Sequence, residues 1–223
     1  VKSLEQEIEG RDYILIPHTN LYFNDHFVMF KDGVIYYPDG EFDSTGRSLH
    51  RTSRDNIPYT RIYTSLVVRK NGDVSIEKLR YIKGMREGER DQIQSISEAG
   101  ELDITDEVQI AVYGQELVER GRAKTAVQVR DMYDRGEFAD HLHLQEPYPH
   151  NILGLGENGE LVFLTLAGDR KQGQGVMPWD MAQRIIEKGR ERGVKIVSAI
   201  LLSNGGDTSI RHNDELVTAG FAG

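Results

Sequence analysis

Residues 178–209, PWDMAQRIIEKGRERGVKIVSAILLSNGGDTS, carry the strongest structural signal in the chain. Proline fixes φ near the helical value and has no N–H to lose at a first helical position, so Pro178 marks a helix start, with Asp180 in the first turn. Ala182, Ile185, Ile186 and Gly189 then recur at i, i+3, i+4 and i+7, which is one helix face. The pattern stops near Gly193. Residues 194–202, VKIVSAILL, follow as a nearly unbroken apolar run of strand length, the signature of a strand buried on both faces. It ends in Ser203-Asn204-Gly205-Gly206. One helix feeding a buried strand, in a chain otherwise rich in strand patterns, predicts an α+β fold: a mixed, mainly antiparallel sheet built from hairpins, with a packed C-terminal helix.

Working outward, three segments read as β-hairpins because an apolar or alternating run meets a turn pair and resumes. They are FVMFKDGVIYY around Asp32-Gly33, TSLVVRKNGDVSIEKL around Asn71-Gly72, and NILGLGENGELVFLTL around Asn158-Gly159. Each pair suits the positive φ angles of a type I′ turn. Residues 113–121, YGQELVERG, read as a hairpin or strand pair around Gly114. Residues 123–136 fit either a short helix or an irregular insert. Residues 38–60 are polar, hold Pro38 and Pro58, and predict a long surface loop; residues 84–107 are densely charged and predict a solvated polar insert. The length fits one or two globular domains, and no internal repeat is found.

The chain has 223 residues, 27 Lys+Arg against 36 Asp+Glu, a net charge of −9 and no cysteine. Without cysteine there is no disulfide, thiolate metal site or cysteine nucleophile. The acidic balance argues against nucleic acid as a partner, since phosphate tracking needs a basic surface. No apolar run reaches the roughly 20 residues needed to span a bilayer.

Three constellations could carry chemistry. Gly154-Leu155-Gly156-Glu157-Asn158-Gly159 matches GxGxxG, but strand continues after it where a dinucleotide site requires a helix, so the glycines are assigned to hairpin geometry. His141 and His143 beside Asp140 would project to one side of an extended segment, as in a two-histidine metal site, but no third ligand is evident. Residues 203–209 are the sharpest feature. Gly205-Gly206 can turn tightly and present backbone N–H groups, while Asn204, Asp207, Thr208 and Ser209 add an amide, a carboxylate and hydroxyls, a set suited to an oxyanion or a sugar. The same residues also fit an ordinary Asn-Gly turn.

The order of segments resembles the phosphodiester glycosidase family, the uncovering-enzyme-like domains. Pro149-His150-Asn151 is similar to that family's His-Pro-Arg-Thr stretch. The hairpin around Asn158-Gly159, the link Gly173 to Gly175, the pair Met181-Ala182 and the run Leu202 to Ser209 follow in the family's order, the last resembling Leu-Asp-Gly-Gly-Gly-Ser-Ser. Upstream, Thr19-Asn20-Leu21-Tyr22-Phe23 resembles Asn-Gly-Gly-Phe-Phe, and VYGQELVERG a Leu-Val-x-x-Gly strand pair. Three positions depart from the pattern: Asn204 stands in place of the aspartate, Asp207 in place of the third glycine, and His150 in place of the arginine.

The resemblance implies hydrolysis of a sugar C1–O–phosphate bond, releasing a free sugar such as N-acetylglucosamine and a phosphomonoester. It assigns Asp207, Asn204 and His150 to catalysis. Asn20, His18, Gly205, Gly206, Thr208 and Ser209 are assigned to substrate binding, with a glycan or small-molecule phosphodiester as partner. It also implies a secreted, envelope or lumenal setting. Oxygen donors at Asn204, Asp207 and the hydroxyls suit calcium or magnesium, although one carboxylate is thin for a dedicated site, so metal dependence stays open. Two other classes fit the same residues: a non-catalytic glycan, phosphosugar or nucleotide-sugar binding module, and a structural component of an envelope or virion assembly.

Overall fold

The computed structural model describes residues 14–15, 29–36, 49–51, 58–60, 62–84, 88–135, 147–166, 175–204, 209–212 and 215–219. Among them antiparallel strands dominate, and this overturns the α+β expectation. Within the described residues the strands fall into four sheets, every pairing is antiparallel, and two helices are found. The sheet is therefore neither mixed nor single, and the C-terminal helix is one of two among the described residues, against a predominance of strand.

The first large sheet has the order β3-β2-β10-β6-β7-β8-β9. Its strands are β2 (Met29–Lys31), β3 (Val34–Tyr36), β6 (Tyr63–Arg69), β7 (Val74–Ile82), β8 (Gln92–Ser97), β9 (Gly100–Asp103) and β10 (Val108–Tyr113). Alternation along β6 buries Tyr63, Ser65 and Val67, and these join Phe30, Ile35, Leu79, Tyr81, Ile93, Ala111 and Tyr113 in one core. Tyr63 stands edge-on to both Tyr81 and Tyr113, and Ser65 shares a hydrogen bond of 2.8 Å with the Tyr81 hydroxyl. That bond satisfies a phenol whose burial pushes its pKa up.

This sheet is curled. On a flat sheet β3 and β7, with three strands between them, would lie about 19 Å apart at the usual strand spacing. Yet the β7–β8 connection touches β3 directly. Asp91 Oδ2 accepts the Ile35 N–H at 2.7 Å, and Lys83 Nζ donates to the Ile35 carbonyl at 3.2 Å. Lys83 also pairs with Asp91 at 2.7 Å, and Asp91 Oδ1 accepts the Gly84 N–H at 3.0 Å.

The second large sheet has the order β12-β11-β15-β13-β14. Its strands are β11 (Gln115–Glu119), β12 (Arg122–Ala123), β13 (His150–Gly156), β14 (Leu161–Leu166) and β15 (Ile196–Asn204). Both helices, α1 (Ala126–Asp134) and α2 (Pro178–Glu191), lie on one face of it, where Val129, Met132, Met181, Ala182 and Ile185 pack with Leu117, Ile152, Ile196, Ala199 and Leu201. Helix α2 starts at Pro178 as expected. It ends in a Schellman motif: Gly193 has φ +75°, Val194 N–H donates to Gly189 O at 2.8 Å and Gly193 N–H to Arg190 O at 3.0 Å. Helix α1 settles the undecided stretch, and its start is a capping box in which Thr125 and Gln128 bond each other's backbone N–H.

Gly114 is where the chain passes from one sheet to the other, not a hairpin turn. Its N–H donates to Thr64 O at 3.0 Å, and a Cβ there would stand 2.7 Å from Ile200 Cβ. The hairpin turn of VYGQELVERG is Arg120-Gly121, with φ +50° and +74°. Of the expected type I′ turns, Asp32-Gly33 is one, with φ +50° and +83°. The other two are three-residue loops. Gly72 N–H bonds Arg69 O and Arg69 N–H bonds Asp73 O, and the same pattern recurs at Gly156, Gly159 and Glu160. There only the glycine takes positive φ, as in a type I turn closed by a glycine bulge.

The expected polar insert 84–107 contains β8, β9 and their hairpin. Every residue of β9 is exposed, because a strand at the sheet edge need not present an apolar face. The expected loop 38–60 includes a two-stranded sheet of β4 (Leu49–Arg51) and β5 (Pro58–Thr60). A fourth sheet joins β1 (Ile14–Leu15), β16 (Ser209–His212) and β17 (Glu215–Ala219).

Glu77 sits among Arg69 at 2.6 Å, Ser75 at 2.5 Å and Ser95 at 2.9 Å. Burial alone would raise its pKa, but hydrogen bonds from Ser75, Arg69 and Ser95 outweigh that and hold it low. The Thr105 hydroxyl and N–H lower Asp103, and Lys124 lowers Glu119. For each, the unfolded chain holds the proton more tightly. The stabilisation is therefore present above the unfolded pKa, about 4, and is lost as pH falls through the lower folded value. The thermal midpoint is expected to drop as pH is lowered through and below about 4. A midpoint that rises on acidification would contradict this coupling.

Candidate functional site

Two of the residues predicted from sequence, His150 and Asn204, stand at one end of the second sheet, where β13 begins and β15 ends. These strands pair so that His150 stands opposite Asn204 and Asn151 opposite Ser203. Two segments 54 residues apart, the His150 stretch and the run into Gly205-Gly206, thus become cross-strand neighbours. Two irregularities interrupt the β13–β15 register, one between Asn151 and Ile152 and one between Leu155 and Gly156. The second lies at a glycine of the GxGxxG-like run, where β13 turns back into β14, so those residues serve a hairpin and not a dinucleotide.

Alternation separates His150 from Asn151. Ile152 belongs to the helix-side core and Leu166, opposite His150, packs against it, so His150 points to the helix side. Its ring is fully buried, and Nε2 lies 3.0 Å from the Val176 carbonyl. A carbonyl only accepts, so Nε2 carries a proton and donates it. Asn151 faces the other side, where its Oδ1 accepts the Thr165 hydroxyl at 2.6 Å. Phe163 and Leu161 continue that face along β14 and are exposed.

What holds His150 in place is the segment entering α2. Tyr148 and Val176 exchange two backbone hydrogen bonds, of 3.1 and 3.0 Å. The close crossing needs Gly175, whose φ is +143° and whose Cβ, if present, would lie 2.5 Å from the Tyr148 carbonyl carbon. The Val176 carbonyl then serves both the Tyr148 N–H and the His150 ring. Sequence reading placed Gly175 in a link and missed Tyr148, Val176 and Thr165 altogether. The Pro-Tyr-Pro run and the glycine spacing were the available signals, and neither says which segments cross.

Asn204 is the last residue of β15 and Ser209 the first of β16, where it pairs with Ala219 of β17. Strand β1 runs antiparallel to β16, with Ile14 opposite His212 and Leu15 opposite Arg211. His18, Asn20, Gly205, Gly206, Asp207 and Thr208, like His141 and His143, lie outside the described residues. Among the described residues no three His, Asp or Glu side chains converge as a metal cage, and no helix is long and apolar enough to cross a membrane.

No protein-family model matches the chain, and no curated protein matches it in sequence. Among solved structures it is similar to the catalytic domain of zebrafish N-acetylglucosamine-1-phosphodiester alpha-N-acetylglucosaminidase, auto-inhibited by its pro-peptide. The identity is 14% and the TM-score 0.44, over 92% of this chain and 64% of that one. The likeness is distant, and the chain spans less than two thirds of that domain's length.

Proposed function

We propose that the chain hydrolyses a glycosyl phosphodiester at the sugar C1–O bond, releasing a free sugar, such as N-acetylglucosamine, and a phosphomonoester. The observation that carries this reading is the β13–β15 register, in which the two motif-like segments end side by side at His150 and Asn204.

In this reading water attacks C1 as the C1–O bond breaks, and the electron pair leaves on the phosphate oxygen. A phosphate ester is a weakly basic leaving group, so little general-acid help is required, and holding the anion and orienting water carry most of the burden. The N–H groups of Gly205 and Gly206, with Thr208 or Ser209, cradle the anion. Asp207 acts as base or charge stabiliser, and Asn20 and His18 orient sugar hydroxyls. His150 acts through the strand end that it anchors to Val176. The test is incubation with a panel of glycosyl phosphodiesters, with and without calcium or magnesium, and detection of released sugar. Asp207→Ala is expected to lower turnover by about 10²- to 10⁴-fold; unchanged turnover would remove the carboxylate from the mechanism.

A second reading, a non-catalytic phosphosugar-binding module, is favoured by the buried His150 ring, whose Nε2–H is already given to Val176. Calorimetric binding of a phosphosugar without release of sugar would select it.

A further inference from the structure

Among the described residues, strand β3 is the outermost strand on its side of the seven-stranded sheet. Lys31 and Val34 flank the two-residue turn and bond each other. The next pair, Phe30 and Ile35, therefore turns its β3 backbone groups away from the hairpin. Ile35 thus offers an N–H and a carbonyl to the open edge, between Val34 and Tyr36, which are 43% and 44% exposed. An edge of this kind is a template for another strand. Here both groups are occupied. The Ile35 N–H goes to Asp91 at 2.7 Å, the carbonyl takes a bond from Lys83 at 3.2 Å, and the two side chains pair with each other at 2.7 Å.

We infer that the Lys83–Asp91 pair stands in for an eighth strand and keeps β3 from pairing with β3 of a second copy of the chain. The second copy is the fitting occupant because the edge is self-complementary. Two β3 strands set antiparallel about Ile35 exchange their outward N–H and carbonyl groups across a two-fold axis. Each Val34 then lies beside the other copy's Tyr36, and the strand Val-Ile-Tyr carries no charge to oppose it.

The test uses the full chain. Lys83→Met combined with Asp91→Ala frees both groups that the pairing exchanges, the Ile35 carbonyl and the Ile35 N–H. Lys83→Met alone leaves the N–H held by Asp91 and serves as the control that stays at the wild-type level. Sedimentation velocity of the double variant at matched concentrations is expected to show self-association at least about tenfold tighter than wild type, the effect of releasing the charged hydrogen bonds at Ile35. Adding Tyr36→Lys is expected to reverse it, since a lysine on an edge strand opposes pairing. Double-variant sedimentation identical to wild type, or association indifferent to Tyr36→Lys, overturns the inference. Hydrogen exchange on the wild-type chain gives an arm that needs no variant. The Ile35 amide is expected to exchange as slowly as central-strand amides, and exchange at the rate of an open edge overturns the clip.

Discussion

Replacing Asp91 with alanine is expected to lower stability by about 3–4 kcal/mol, more than any surface substitution in this chain. The Asp91 side chain is 8% exposed and accepts three bonds, from the Ile35 N–H, the Gly84 N–H and Lys83. Alanine leaves two backbone N–H groups without an acceptor, each costing about 1–3 kcal/mol when buried. The lysine adds less, because its side chain is 34% exposed and water recovers part of its charge. Asp91→Asn keeps one oxygen but turns an amide N–H toward donors, so it should fall between the two. At about 2–4 °C per kcal/mol for a chain of this size, the alanine variant should melt roughly 10 °C below wild type. Calorimetry showing a loss under about 1 kcal/mol would mean that the curl of the first sheet does not depend on this carboxylate.

Asp91 also marks where sequence reading stops. The hairpins at Asp32-Gly33, Asn71-Gly72 and Asn158-Gly159 were legible because alternation and turn chemistry act within a dozen residues. So was α2, from Pro178 to its Gly193 stop. The class was misread because Gly100–Asp103 is exposed throughout and Gln92–Ser97 sinks only Ile93 fully into the core, too little apolar pattern to read as strand. An edge strand is held by backbone bonds, and those leave no mark on composition. The split into two sheets was hidden for a related reason. Gly114 looks like a turn residue, but it is demanded by Ile200, which is 86 residues away in the chain. The Thr125-x-x-Gln128 box was present in the sequence and would have resolved α1.

The candidate site divides in the same way. Residue types suited to an anion or a sugar were visible in residues 203–209, and the register placing Asn204 opposite His150 joins that segment to a second one. Burial was not visible. A histidine in place of an arginine suggests a weaker phosphate contact, whereas the ring is closed off and hydrogen-bonded to Val176. Its partner is a backbone carbonyl, and carbonyls carry no sequence signature.

Gly175→Ala is expected to be the most damaging single change near that site. At φ +143° a side chain is strained wherever it points, and here its Cβ would meet Tyr148 backbone atoms at 2.5–2.7 Å. Backbone cannot swing aside as a side chain can, so the crossing must open. Opening it breaks the two Tyr148–Val176 hydrogen bonds and removes the carbonyl that receives the His150 ring. The combined cost is about 3–5 kcal/mol, the size of backbone strain added to lost buried hydrogen bonds. It should be concentrated at the entry to α2, leaving the first sheet and its separate core nearly intact. Trp179, the only tryptophan in the chain, reports on that entry, since it packs on the helix-side core with the Arg130 guanidinium 5.5 Å from its ring. Its emission in the variant should shift toward that of exposed indole at temperatures where amides of the first sheet remain protected from exchange. An unshifted Trp179 spectrum with a melting point within about 1 °C of wild type would show that the strap tolerates a side chain, and would detach His150 from the anchoring role assigned to it.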